Sequence, residues 1–130
     1  MKNIIFKKYE VLSEDNRGTI TQLLDISGRN IKAILKIYSK KDAIRGNHYH
    51  KKDIHFTYLL KGNFRYVEKS TQRPKAKLVS RIINPGEMVV SHPNTIHAMK
   101  FLQDSEMIVF TTESRKQKDY ERDTVRVKLI

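Results

Sequence analysis

The 130-residue length and 38% hydrophobic content fit one small domain over residues 1–130, and no apolar run is long enough to span a membrane. The absence of cysteine excludes disulfides and thiolate zinc sites and favours a cytoplasmic location. The basic residues behind the net charge of +12 are scattered along the chain. This distribution is typical of a solvated surface, or of an electrostatic field that attracts an anionic ligand such as a sugar nucleotide. No nucleic-acid-binding motif accompanies the charge, which argues against a nucleic-acid partner.

Strand patterns dominate the chain between residues 19 and 111. Runs rich in β-branched and apolar residues recur about every ten residues, with turn residues between them. They cover 19–24, 31–38, 55–60, 63–67, 78–83, 88–91, 98–102 and 107–111. Lys61 and Gly62 fit a hairpin turn, 70–75 fits an exposed loop, and only 114–121 has a helical pattern. This cadence predicts an all-β sandwich or barrel.

The histidines are the candidate functional residues. All five lie between positions 48 and 97, and His48 and His50 are two residues apart in a strand-like stretch. Side chains two apart on a strand point to the same face. Imidazole both transfers protons near neutral pH and binds transition metals. Two such rings on one face indicate a chemical site, whereas His92 is interpreted as structural or as lying at the rim of that site.

The spacing of these residues resembles the two motifs of the cupin family. His48 and His50 are followed by His55, in the place of the first motif's glutamate, and then by Gly62. Pro85-Gly86, a short strand, Pro93 and His97 are similar to the second motif. The resemblance implies an all-β cupin jelly-roll barrel of two antiparallel sheets with little helix.

The flanking residues narrow the resemblance. The segment Asp15-Asn-Arg17-Gly18 is similar to the opening of small sugar-nucleotide cupins. The run from Arg45 to Lys51 resembles both the dTDP-4-keto-6-deoxyglucose 3,4-ketoisomerases and the cupin domain of capsular-polysaccharide epimerase/reductases, and the Asp119-Tyr120 tail resembles the ketoisomerases. These resemblances imply a homodimeric 3,4-ketoisomerase or 3-epimerase of a nucleotide-linked 4-keto-6-deoxyhexose.

The ketoisomerase resemblance also implies roles for individual residues. Moving a carbonyl from C4 to C3, or inverting C3, requires removal of a proton next to a ketone, which a neutral histidine can accept. His48 and His50 would shuttle protons and Tyr38 would donate to an oxygen. The expected substrate-binding residues are Arg45, which would hold a diphosphate oxygen, together with Arg17, Asn47 and His97.

Two alternatives remain open at this point. The epimerase/reductase resemblance suggests a metal, with ligands from His48, His50, His55 and His97 and with zinc, nickel, iron or manganese as the ion. Such a site would also suit a metal-dependent cupin of other chemistry, such as a dioxygenase, whereas the ketoisomerases by resemblance need no metal. The third possibility is a cupin that binds a carbohydrate or nucleotide without catalysis.

Overall fold

The computed structural model describes residues 5–8, 10–73 and 75–130, and within them the chain is mostly β-strand. The elements are β1 Ile5–Lys8, β2 Glu10–Asp15, β3 Gly18–Gln22, β4 Ala33–Ser39, β5 Ile44–His50, β6 His55–Lys61, β7 Phe64–Ser70, β8 Val79–Ile83, β9 Glu87–Ser91, β10 Thr95–Phe101, β11 Ser105–Thr111, α1 Gln117–Asp123 and β12 Thr124–Arg126. All of the predicted strands are present. The predicted helix is displaced toward the C-terminus, and the predicted loop at 70–75 contains residue 74, which lies outside the described residues.

Two five-stranded antiparallel sheets form the barrel. The first sheet has the order β1-β9-β6-β11-β4, and the second has the order β12-β5-β10-β7-β8. The strands β2 and β3 form a separate two-stranded hairpin. This arrangement confirms the predicted cupin jelly roll with little helix.

The core lies between the two sheets because strands in both of them alternate inward apolar with outward polar residues. Leu59 and Val89 from the first sheet and Phe64, Tyr66 and Phe101 from the second are fully buried there. The rings of Phe64 and Phe101 pack with their centroids 5.4 Å apart. The apolar half of the barrel therefore stabilises the fold and leaves the other half for polar residues.

A tight turn is present at the predicted Lys61-Gly62, but it does not close a hairpin, because β6 belongs to the first sheet and β7 to the second. Gly62 has a φ of +88°, and a Cβ atom there would lie 2.5 Å from the carbonyl oxygen of Asp104. Only glycine meets both conditions without strain. In the part of the chain that the structure describes, no helix is long and apolar enough to cross a membrane.

Candidate active site

Three histidine rings form a compact group between the sheets. His48 of β5 and His97 of β10 are directly opposite in the antiparallel register, and their ring centroids are 4.8 Å apart. His50 lies 4.7 Å from His48 and 5.7 Å from His97 by the same measure. One nitrogen from each of the three rings lies within 4.8 Å of the other two. The structure therefore brings together the two histidines of the first motif and the last histidine of the second.

A β-bulge in β5 decides which side chains accompany His48. His97 pairs with His48, but Ala98 pairs with Gly46, so Asn47 is the extra residue. Gly46 and Asn47 both have positive φ values, of 87° and 56°. Beyond the bulge Arg45 pairs with Met99, an inward-facing residue, so Arg45 lies on the same face as His48. Regular alternation would have placed Arg45 on the other face.

The bulge requires glycine at position 46. A Cβ atom at Gly46 would lie 2.7 Å from the carbonyl oxygen of His97 and 3.0 Å from the Cα of Ala98. Asn47, predicted to bind substrate, is absent from the cavity lining and holds the C-terminal residues. Its Oδ1 accepts hydrogen bonds from the backbone N–H groups of Leu129, at 2.8 Å, and Ile130, at 3.1 Å. These bonds hold the C-terminal residues against the bulge.

The histidines open into a cavity of about 320 Å³ between the sheets. It combines an apolar floor with polar groups and with three arginines, of which Arg45 and Arg126 are exposed and mark the mouth. The lining residues are Leu35, Ile37, Ile44, Arg45, Gly46, His48, His55, Thr57, His97, Met99, Met107, Val109, Arg115, Tyr120 and Arg126. His50 is buried behind His48 and is absent from this lining.

Tyr120, Arg115 and Arg126 are among the lining residues that the sequence analysis did not assign to the site. Tyr120 lies on α1, with its ring centroid 5.6 Å from that of His50 and 6.2 Å from that of His48. The Arg115 guanidinium lies 3.6 Å above the Tyr120 ring, a cation–π contact. Arg126 binds Glu121 through two hydrogen bonds of 2.7 and 2.9 Å. The Asp119-Tyr120 resemblance was the available signal, but strand β12 is what returns this segment to the cavity by pairing with β5.

The structure does not bring two of the predicted site residues to the cavity. Tyr38 faces outward from β4, with 51% of its surface exposed, because the inward positions of that strand are Leu35, Ile37 and Ser39. Its backbone carbonyl accepts a hydrogen bond of 3.1 Å from Arg45. Arg17 lies at the turn of the β2–β3 hairpin and forms an ion pair of 2.6 Å with Asp15. Neither side chain lines the cavity within this chain.

His55 lies next to the three-histidine group, but one of its ring nitrogens is engaged by a carboxylate. It begins β6 in the first sheet, and its ring centroid is 4.6 Å from that of His50. Its Nε2 lies 2.8 Å from Oδ2 of Asp53, a buried residue. The predicted set of four histidines is thus three grouped rings and a fourth ring held by a carboxylate.

Burial sets the charge of the three grouped histidines. Desolvation, with the neighbouring imidazoles adding to it, lowers the pKa of His48, His50 and His97 to about 3 each. All three are therefore neutral at pH 7. Neutral imidazole is the form that accepts a proton or ligates a metal.

The hydrogen bonds also assign the protonated nitrogen of two rings. The Thr124 hydroxyl donates to the carbonyl of Tyr120 at 2.6 Å, so at 3.2 Å from His50 Nδ1 its oxygen accepts. His97 Nδ1 lies 3.3 Å from the carbonyl of Thr95, which only accepts. Both rings thus carry hydrogen on Nδ1 and a lone pair on Nε2. Among the described residues His50 Nε2 has no partner.

The donor set of this group fits a divalent transition metal. Three neutral imidazoles, with one lone pair left unpartnered at His50, match the nitrogen ligands that zinc, nickel or iron bind. The ligands of such an ion would be His48, His50 and His97, whereas His55 Nε2 is engaged by Asp53.

The fold and the site together define a class of protein: a cupin jelly roll with a histidine-lined cavity between its sheets. A family model described as WxcM-like, C-terminal, matches residues 3–128. The chain belongs to this family. Among curated proteins, no sequence matches the chain.

Solved structures share the fold across nearly the whole chain. A double mutant of the QdtA 3,4-ketoisomerase from Thermoanaerobacterium thermosaccharolyticum, in complex with TDP, is 25% identical, with a TM-score of 0.71 over 97% of this chain and 88% of that one. The WlaRB TDP-quinovose 3,4-ketoisomerase from Campylobacter jejuni is 17% identical, with a TM-score of 0.75 over 94% and 97% of the two chains. A dTDP-4-dehydrorhamnose 3,5-epimerase from Sulfolobus tokodaii is 23% identical, with a TM-score of 0.74 over 95% and 76%.

Proposed function

We propose that this protein is a sugar-nucleotide 3,4-ketoisomerase or 3-epimerase that acts on a nucleotide-linked 4-keto-6-deoxyhexose. The observation that carries the proposal is the pair of neutral imidazoles, His48 in the wall of the cavity and His50 behind it, with ring centroids 4.7 Å apart. The family membership and the 3,4-ketoisomerases and 3,5-epimerases among the similar structures support it.

The cavity suits such a substrate in size and polarity. A volume of about 320 Å³ is within the range of small-molecule sites. The apolar floor fits the deoxygenated side of a 6-deoxyhexose, and the arginines at the mouth fit an anionic diphosphate. Arg45 is already oriented, because its Nε donates a hydrogen bond of 2.7 Å to the Ser39 hydroxyl. Arg45 and His97 are therefore retained as substrate-binding residues.

His48 is the residue placed to start the reaction. It lines the cavity, so it takes the proton from C3, which the neighbouring C4 ketone makes acidic. His50, behind it, relays protons to and from His48. The enediolate that forms needs a donor at its oxygens, and the Tyr120 hydroxyl, unlike that of Tyr38, belongs to a cavity-lining side chain. Reprotonation at C4, with the O3 hydroxyl proton passing to O4, gives the 3-keto isomer, and reprotonation at C3 from the other face gives the epimer.

Deuterium exchange tests this proposal. The protein is incubated with dTDP-4-keto-6-deoxyglucose in deuterated water, and carbon-bound deuterium is followed by NMR. We expect incorporation that His48→Asn and His50→Asn each reduce at least 100-fold, on the scale of general-base catalysis. His92→Asn is the matched control, because His92 does not line the cavity. Saturable binding of the substrate without exchange would instead favour a binding module without catalysis.

The same three histidines cannot serve as proton carriers and as metal ligands at once, because a bound ion would occupy their lone pairs. The proposed reaction therefore runs without a metal. Occupancy by zinc, nickel, iron or manganese stays a prediction of the alternative, and metal analysis of the purified protein tests it.

We further propose that the protein is a homodimer joined through the outer face of the first sheet. Ile34, Tyr38 and Leu60 are 65%, 51% and 43% exposed on that face, and a partner subunit would cover these apolar side chains. The β2–β3 hairpin adds exposed Val11, Leu12 and Ile20, and an isolated hairpin is only marginally stable in water. Arg17 as a substrate contact and a cytoplasmic location stay predictions.

A further inference from the structure

The contact between His55 and Asp53 sits at the edge of the cavity, opposite His48. His48 belongs to β5 in the second sheet, whereas His55 begins β6 in the first sheet, and both rings line the cavity between the sheets. The two imidazoles therefore reach this cavity from different sheets.

The bonds to Asp53 define the protonation state of this pair. Oδ1 of Asp53 accepts hydrogen bonds from the backbone N–H groups of Thr112, at 3.0 Å, and Glu113, at 3.1 Å, and from the Thr112 hydroxyl at 3.3 Å. A carboxylate so surrounded by donors is an acceptor. His55 Nε2, at 2.8 Å from Oδ2, must then carry the hydrogen.

His55 consequently has the opposite tautomer to His50 and His97. With Nε2 donating to Asp53, the ring nitrogen left for a ligand is Nδ1. Among the described residues His55 Nδ1 has no hydrogen-bond partner. It is also not one of the fully buried atoms without a partner, so it is accessible from the cavity that His55 lines. A histidine held by a buried carboxylate keeps its orientation and stabilises the imidazolium that forms during proton transfer.

We propose that His55, positioned by Asp53, is a second catalytic acid–base group that faces His48 across the substrate. The inference rests on the proposed function and specifies its stereochemistry. His48 accepts the C3 proton and leaves the electron pair in the enediolate. His55, protonated on Nδ1, delivers a proton to carbon from the opposite face of the ring. One group gains the proton that the other loses, and exchange with water restores both.

Separation of exchange from product formation tests the role of His55. In deuterated water His55→Asn should retain C3 exchange in recovered substrate within a few-fold, because His48 still removes and returns a proton on its own face. Product formation should fall at least 100-fold. In product made by the wild type, deuterium should lie on the face opposite the one that lost hydrogen. Exchange and product that fall together, or a product rate that does not change, would overturn the two-group assignment.

The variant Asp53→Asn tests the positioning without removing the loop contacts. An asparagine Oδ1 can still accept from Thr112 and Glu113, but its amide would donate to His55 Nε2 and reverse the tautomer. Nitrogen-15 NMR of the imidazoles should show Nε2–H at His55 in the wild type and Nδ1–H in the variant, with the tautomers of His50 and His97 unchanged. Product formation should fall at least 10-fold with little change in KM.

An unchanged His55 tautomer in this variant, or a reversed tautomer with an undiminished product rate, would show that Asp53 does not position His55 for proton transfer. A wild type that shows neither exchange nor product would count against the proposed function as a whole. In that case the NMR experiment would still decide whether Asp53 controls the His55 tautomer, so the two failures can be told apart.

Discussion

Replacement of Gly46 by alanine is the sharpest test of how the fold builds this site. The methyl group would lie 2.7 Å from the His97 carbonyl oxygen, and the backbone φ of +87° is one that side chains rarely adopt. The positive φ alone costs roughly 1–2 kcal/mol. The clash adds to it, because the nearest atoms belong to the backbone of the central strand β10 and cannot rotate away.

The variant Gly28→Ala is a matched control for the cost of a side chain at positive φ without a clash. Gly28 has a φ of +78°, but no atom lies within 4 Å of a Cβ placed there. Its replacement should therefore cost only about 1–2 kcal/mol. Gly46→Ala should cost about 1–3 kcal/mol more, since strain of this kind in a packed strand is of that order. The difference isolates the contact between β5 and β10.

Thermal unfolding and deuterium exchange measure both consequences. Each kcal/mol shifts the Tm of a chain of this size by roughly 3–6 °C, so Gly46→Ala should melt clearly below Gly28→Ala. The folded fraction should also lose exchange activity, because relief of the clash moves His48 away from His97. Equal Tm values for the two variants, or full exchange activity in Gly46→Ala, would refute the argument that the bulge holds the site together.

Four further predictions follow from individual contacts. Tyr120→Phe should lower product formation about 10- to 100-fold by removing the proposed oxygen donor, whereas Tyr49→Phe, outside the cavity lining, should not; equal rates for the two variants would contradict the role of Tyr120. Treatment with a strong chelator should leave exchange unchanged, and loss of activity that added zinc or iron restores would favour the metal-dependent alternative. The variant Ile34→Lys should reduce the mass measured by light scattering from that of a dimer to that of one chain, 15.3 kDa. The variant Leu78→Lys should leave the mass unchanged, because Leu78 is an exposed apolar residue just before β8 in the second sheet. Burial raises the pKa of Glu68 to about 7 from an ordinary 4.5, so the folded state binds its proton more tightly than the unfolded state does, and this contribution to stability is lost as pH rises from about 4.5 to 7. The variant Glu68→Gln should therefore gain stability relative to the wild type over that interval, by on the order of 3 kcal/mol. A difference in the free energy of urea unfolding that does not change with pH would refute this prediction.

The fold could be predicted because its signals are local. Strand periodicity with regular turns marked every strand from β3 to β11 except β5, whose polar run was identified through its histidines. The strands β1, β2 and β12 were missed, because β2 has only two apolar residues, and β1 and β12 have only four and three residues in all. Such segments become strands through their pairing partners and not through their own composition.

The composition of the site was only partly predictable. His48, His50 and His97 converge as expected, because an alternating strand keeps two of them on one face and the motif spacing places the third opposite. Tyr38 was assigned to the cavity, but β4 has neighbouring apolar residues at 37 and 38, and the pattern does not show which of them faces inward. Packing against β11 directs Ile37 inward and Tyr38 outward.

Sequence alone determined the chemistry available to this protein: the strand cadence, the glycine-bearing turns and the imidazoles at motif spacing. These are properties of single residues and their near neighbours, which the backbone period translates directly into faces. The tertiary structure decided which groups meet. It inverted the alternation at Asn47 to place Arg45 beside His48, returned Tyr120 to the cavity through β12, and set Asp53 against His55. Such contacts depend on register between distant strands, a property that no local segment carries.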